Sequence, residues 1–240
     1  ASTASTAPST PPSPRIRSSR RTSPALADAV KGFIAQEATH RHQHALLNQR
    51  LDVMGYPTRR VERHVEGLLT VIERVLSARM NLAVTAAFEH YTATFAEMVL
   101  SDDAADAMLG QGEVRTMLLW HAFEESEHKA VAFDVYRAVG GSERMRITAM
   151  VIASVILWVE VTVQTARSLL DDPACRDVFG LLRSIDAFRR WPLFGRAAWR
   201  RYYSYQHVGF HPDDWDATDL LARWRDELFD GTGTQRRPAG

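Results

Sequence analysis

The sequence predicts an all-α protein, a bundle of four main helices joined by short loops with a C-terminal helical appendage. Three observations lead there. Alternating apolar and polar runs, the mark of half-buried strands, are absent. Apolar residues recur instead at the three- and four-residue spacing of helices. The punctuation between them is that of helix ends, with Ser-Pro and Thr at starts and Gly or Pro at stops.

Ser23-Pro24 opens a first helix as cap and first turn, running to about Met54, where Gly55 and Pro57 stop it. Thr58 can cap a second segment over about 59–100, which periodicity leaves open as one helix or two. Asp102-Asp103 mark the end of that second segment, and a third helix spans about 104–139, with Gly110-Gln111-Gly112 as a candidate break, and stops at Gly140-Gly141. Ser142 and Glu143 begin a fourth, to about Leu170. Asp172-Pro173 starts a shorter helix that WPLFG breaks. GFHPDDWD reads as a turn-rich loop, and Asp216 or Thr218 caps a last helix to about Phe229.

The bundle domain is expected over 26–230, flanked by a disordered Ser/Thr/Pro/Arg-rich tail at 1–25 and a second tail at 231–240. No acid precedes Asp28, but no uncharged apolar run follows the paired arginines, so an export signal is not expected. The 45% hydrophobic and 24% charged fractions are those of ordinary globular chains. Basic and acidic residues balance at 29 each, giving no reason to expect nucleic acid. The single Cys175 excludes an internal disulfide framework and fits a reducing, cytoplasmic setting. The stretch 147–166, ITAMVIASVILWVEVTVQTA, has nearly the length of a membrane span but contains Glu160, and is read as a buried bundle helix without membrane insertion.

WHAFEESEHKAVAFD, 120–134, carries the chemistry. On a helix, His121 to Glu125 is about 40° and about 6 Å, and Glu125 to His128 about −60° and about 4.5 Å, so the three share one face. That face continues through Met117, Leu118, Ala132 and Val135, which points it inward. Buried Glu and His are costly unless paired or metal-bound. The first helix repeats the device: Glu37 and His40 have the same Glu-x-x-His spacing, His44 adds one turn, and Ile34 and Leu47 tie the stripe to an apolar face. Between them Glu89 stands among Ala and Thr, an odd place for a lone acid unless a metal is there, while His90 lies one residue round the helix.

Two Glu-x-x-His pairs on separate helices are the arrangement of ferritin-like di-metal carboxylate bundles, in which two further helices each supply one glutamate. Glu89 is one such glutamate; for the other, Glu160 and Glu124 are the candidates. Zincin chemistry is set aside, because three residues separate His121 from Glu125, and nothing resembles a nucleophilic triad.

FIAQEATHRHQH, TAAFEHYTATFAE, WHAFEESEHKAVAFDVY and GFHPDDWD, in that order, resemble the bacterial family named "predicted metal-dependent hydrolase" over roughly 30–230. The resemblance implies a ferritin-like fold. The last metal helix is also similar to that of di-iron arylamine N-oxygenases, which implies Glu37, His40, Glu89, His121, Glu125 and His128 as ligands. Members of the hydrolase family usually carry a further N-terminal helix with a glutamate, where this chain has its Ser/Thr/Pro tail. Either Glu160 compensates, or the start is truncated, or the chain is a degenerate, non-catalytic member. The expectation is two divalent ions, iron first with manganese or zinc as the other candidates. They would serve an oxidation of a small organic substrate with dioxygen or, as the family name says, hydrolysis; a homodimer is left open.

Overall fold

Capping and breaking residues divide the chain in the computed structural model, which describes residues 23–101, 109–171, 180, 183, 185–186 and 195–229. The two expected tails, Cys175, Asp102-Asp103 and most of the segment from Asp172-Pro173 through WPLFG lie outside the described residues.

Helix α1, Pro24–Val53, opens on Ser23, whose Oγ accepts from the Leu26 amide at 3.1 Å, and ends before Gly55 at φ 94°. The segment after it is two helices, α2, Thr58–Val75, and α3, Ala78–Ser101. Thr58 does not cap α2: it is the first helical residue, and its hydroxyl donates to the Asn48 carbonyl of α1 at 3.1 Å. The break falls at Leu76-Ser77, where Ser77 Oγ accepts from the Met80 amide and Asn81 Nδ2 donates to the Glu73 carbonyl at the end of α2. Gly110 and Gly112, both at positive φ, precede α4, Glu113–His128. The expected continuous run to 139 stops at Lys129-Ala130 and resumes as α5, Val131–Ala138. Then come α6, Glu143–Asp171, and α7, Arg196–Ser204. A short 3-10 turn, Pro212–Asp214, leads to α8, Thr218–Leu228, where Asp216 Oδ1 accepts from the Thr218 amide.

Helix α3 is the central rod. It packs against α4, α5, α6 and α7, and its buried Ala83, Ala86, Ala87, Ala93 and Ala96 let these neighbours come close. One part of the core gathers Tyr91, Phe133, Tyr136, Met150, Tyr205 and Phe210 around it. At the other end α8 closes over Leu100, Leu119 and Phe123, and Trp224 Nε1 caps α3 by donating to the Leu100 carbonyl at 2.8 Å. Arg146, with no exposed surface, donates to the Tyr205 and His207 carbonyls and to Glu143, tying α6 to the chain after α7.

Two expectations about burial are overturned. Ile34 is 61% exposed, because it lies about 120° round α1 from His40 and so outside the stripe that meets the bundle. Only Leu26 and His40 of α1 are buried. Helix α6 is not buried all round either: 17% of its apolar stretch is covered. Its first turns meet α3 through Ala149, Met150 and Ala153, while Val151, Val155 and Val159 are exposed. A helix of 29 residues is about 43 Å long, and its buried residues all lie between Arg146 and Ala153. Among the described residues α6 is the one helix long and apolar enough to cross a membrane, by length and composition. Beside it runs α2, which has no buried residue and is joined to it by His64 and Glu160, 3.0 Å apart.

Candidate metal centre

Helix α1 lies along α4 and α5, so the two Glu-x-x-His pairs face each other across one gap. One side-chain donor atom from each of Glu37, His40, Glu125 and His128 lies within 4.8 Å of the other three. His40 Nδ1 is 3.5 Å from both Glu37 Oε1 and Glu125 Oε1, and His128 Nδ1 is 3.9 Å from Glu37 Oε1. His121 Nε2 is 3.3 Å from Glu125 Oε1, with its ring 4.1 Å from that of His40. Phe33 packs 5.0 Å from the His128 ring and Trp120 edge-on 5.2 Å from His40, walling the gap with apolar surface.

Without a partner ion this arrangement is costly. Glu37 Oε1, His40 Nδ1, Glu89 Oε2, His121 Nδ1 and both ring nitrogens of His128 are buried with no hydrogen-bond partner among the described residues. Natural interiors leave few such atoms unpaired, and each one costs about 1–3 kcal/mol. Six gathered in one gap are free to ligate, and imidazole nitrogens with carboxylate oxygens are a donor set for zinc, iron or manganese. The donors therefore fit a metal ion.

The titration behaviour shows the same strain. Burial pushes Glu89 up to about 8, helped by the charges of Glu125 and Glu37, and burial also raises Glu125. Burial, with His40 and His44 nearby, lowers His121 to about 4; burial lowers His128 and His44 too. His40 goes the other way: burial disfavours its proton, but the hydrogen bond to Glu124 and the nearby Glu37 and Glu125 carboxylates outweigh that and hold it at about 9. Glu37 is lowered, first by the His40 imidazole 3.5 Å away, against its own partial burial.

Of the residues singled out in the sequence, Glu37, His40, Glu125 and His128 come together, with His121 and Glu89 at their edge. His44 stacks edge-on against His121, 4.8 Å between ring centres, and is not among the four clustered donors. Glu124 is closer to the centre than its helical angle suggested, 2.8 Å from His40 Nε2. Glu160 does not join the site and is not a buried acid paired with Arg or Tyr. It sits at the surface between His64 and Gln164, because its stretch of α6 runs beside α2 and away from the gap. His90 points to the other side of α3, its Nε2 2.8 Å from the Arg201 carbonyl oxygen, and burial lowers it to about 4.

Sequence reasoning passed over Glu97, Lys129 and Arg201. Glu97 is 3% exposed and paired with both cations, 2.8 Å from Lys129 Nζ. The one available signal was Glu97 itself, an acid eight residues after Glu89 on an otherwise apolar helix.

Searches of curated proteins and of solved structures return no match. A family model described as "Predicted metal-dependent hydrolase" matches residues 15–216, most of the chain and all of the candidate centre. The chain belongs to this family of predicted metal-dependent hydrolases.

Proposed function

We propose that the chain is a metal-dependent hydrolase whose ion is held by Glu37, His40, Glu125 and His128. The observation that carries this is the convergence of these four donors, several of them buried and unpaired, in a chain of the hydrolase family. Held by these four residues, a divalent ion would supply Lewis-acid chemistry, polarising a scissile ester or amide and lowering the pKa of water.

The chain's own residues do the rest. Glu124 takes the Nε2 side of His40 and leaves Nδ1 turned to the other donors, the carboxylate–histidine pairing that fixes a ligand's tautomer. Glu89, buried beside the four donors, is favoured in its neutral form by that burial and is the carboxyl placed to hand a proton to a leaving group. Phe33 and Trp120 hold the His128 and His40 rings against apolar surface and so limit the orientations those ligands can take.

A second reading, oxidation of an organic substrate with dioxygen at two irons, is favoured by one observation. Glu89 and His121 stand beside the four-residue cluster, enough donors for a second ion in the two-pair pattern of di-iron bundles. One experiment decides. Metal-stripped protein is loaded with zinc, manganese or, without air, ferrous iron, then analysed for metal content and assayed on model esters and for dioxygen uptake. One ion per chain with ester cleavage supports hydrolysis. Two irons per chain with dioxygen consumed replaces it by the second reading. Failure to take up any of the three metals overturns both and leaves a non-catalytic helical protein.

A further inference from the structure

The motif GFHPDDWD and the buried Lys129 play no part in the centre just described, yet they meet directly behind it. Helix α4 ends at His128, and Lys129 is the next residue, at the unforeseen interruption before α5. No glycine or proline causes that break. Instead Lys129, 8% exposed, sends its ammonium into the interior, where Nζ donates to Glu97 Oε1 at 2.8 Å and to the Trp215 carbonyl. Glu97 Oε2 accepts from Arg201 Nη1, and the Arg201 guanidinium lies 4.9 Å over the Trp215 ring. The same loop takes hold on the far side of the break. His211 Nε2 is 3.0 Å from Asp134 Oδ1 of α5, and because His211 Nδ1 accepts from the Asp213 amide, Nε2 is the nitrogen that donates. Trp215 Nε1 donates to Ser204 Oγ at the end of α7.

Burying this lysine and glutamate is a poor way to gain stability, since well-packed apolar side chains of similar size do as well or better. What a fully bonded buried network gives is one fixed geometry. Here it fixes the end of the helix that carries His128 to α3, the rod that also carries Glu89 eight residues earlier. The geometry points to Lys129, with Glu97, Arg201 and the 210–216 loop, as positioning residues for the metal centre: the loop grips both sides of the Lys129-Ala130 break and sets the rotation at which His128 meets Glu37. This rests on the metal reading above.

Cobalt(II) is the probe, because its visible absorption reports coordination geometry apart from turnover. Wild-type protein, Lys129→Met and Lys129→Arg are titrated with cobalt(II), while circular dichroism follows helix content and thermal midpoint. Lys129→Met is expected to keep its helices, bind cobalt(II) roughly tenfold to a hundredfold more weakly, as lost supports of metal ligands do, and show an altered visible spectrum. Lys129→Arg, which keeps the charge and donors, should restore most of both. If Lys129→Met fails to fold, the double variant Glu97→Gln/Lys129→Gln, which leaves no buried charge unpaired between the two, takes its place. Wild-type affinity and spectrum in the folded variant overturn the positioning role and leave the metal site standing. Loss of fold in both variants makes the network a general folding element and overturns it too. No cobalt(II) uptake by wild-type protein sinks the metal reading on which it rests.

Discussion

At the residue scale the centre is defined by protons in the wrong places. His40, held at about 9, is charged at neutral pH, so an ion must displace its proton and metal affinity should rise from pH 6.5 to 9. Metal-free stability should fall over the same range. His40, raised above its ordinary 6.5, stabilises fully below that value and loses the contribution as pH passes about 9. Glu89, raised from 4.5, acts in the same direction as pH passes about 8, while His121 and His90, both near 4, have already lost their protons. Thermal midpoints of stripped and loaded protein across this range check both statements; a flat profile for stripped protein contradicts them. Glu125→Ala should abolish metal uptake and Glu160→Ala leave it unchanged, read by elemental analysis. The paired spacings made the four central donors legible, since three residues on a helix return a side chain to nearly the same face. Glu124 was less so: its angle on its own helix says nothing of a histidine arriving from another. Glu97 could be seen as an acid on the α3 helix, but its pairing was not legible, because its cations come from 32 and 104 residues away.

At the scale of elements, starts and stops followed local chemistry and could be read, as Ser23, Gly55 and Gly140 show. The turn after α5 adds a tight constraint. A Cβ on Gly141 would lie 2.2 Å from Tyr136 Cζ, and that ring is fully buried with its hydroxyl donating to the Ser142 carbonyl. Gly141→Ala should therefore destabilise the fold by about 1–3 kcal/mol, the usual cost of overpacking, seen as a lowered denaturation midpoint with metal content per folded chain unchanged. The break at Lys129 was hidden because the groups that receive its ammonium, Glu97 and the Trp215 carbonyl, come from distant parts of the chain. The exposure of α6 was hidden for a related reason: an apolar helix announces that it can be covered, not how far its neighbours extend along it.

Across the whole molecule, stability is unevenly spread. Helix α3 is buried along most of its length, whereas adjacent α2 has no buried residue and is held by surface bonds such as His64 to Glu160. Amides of 58–75 should exchange with deuterium far faster than those of 81–100 under native conditions. Equal protection in the two helices would show that α2 is held by more than these contacts. Helix α1 is the instructive case between them. It is about 45 Å long, and of its 30 residues only Leu26 and His40 are buried, one of them a candidate ligand. Undocking α1 and dismantling the centre are thus the same event. An ion held there should therefore leave no faster than this one long helix undocks, and added metal should hold the helix in place.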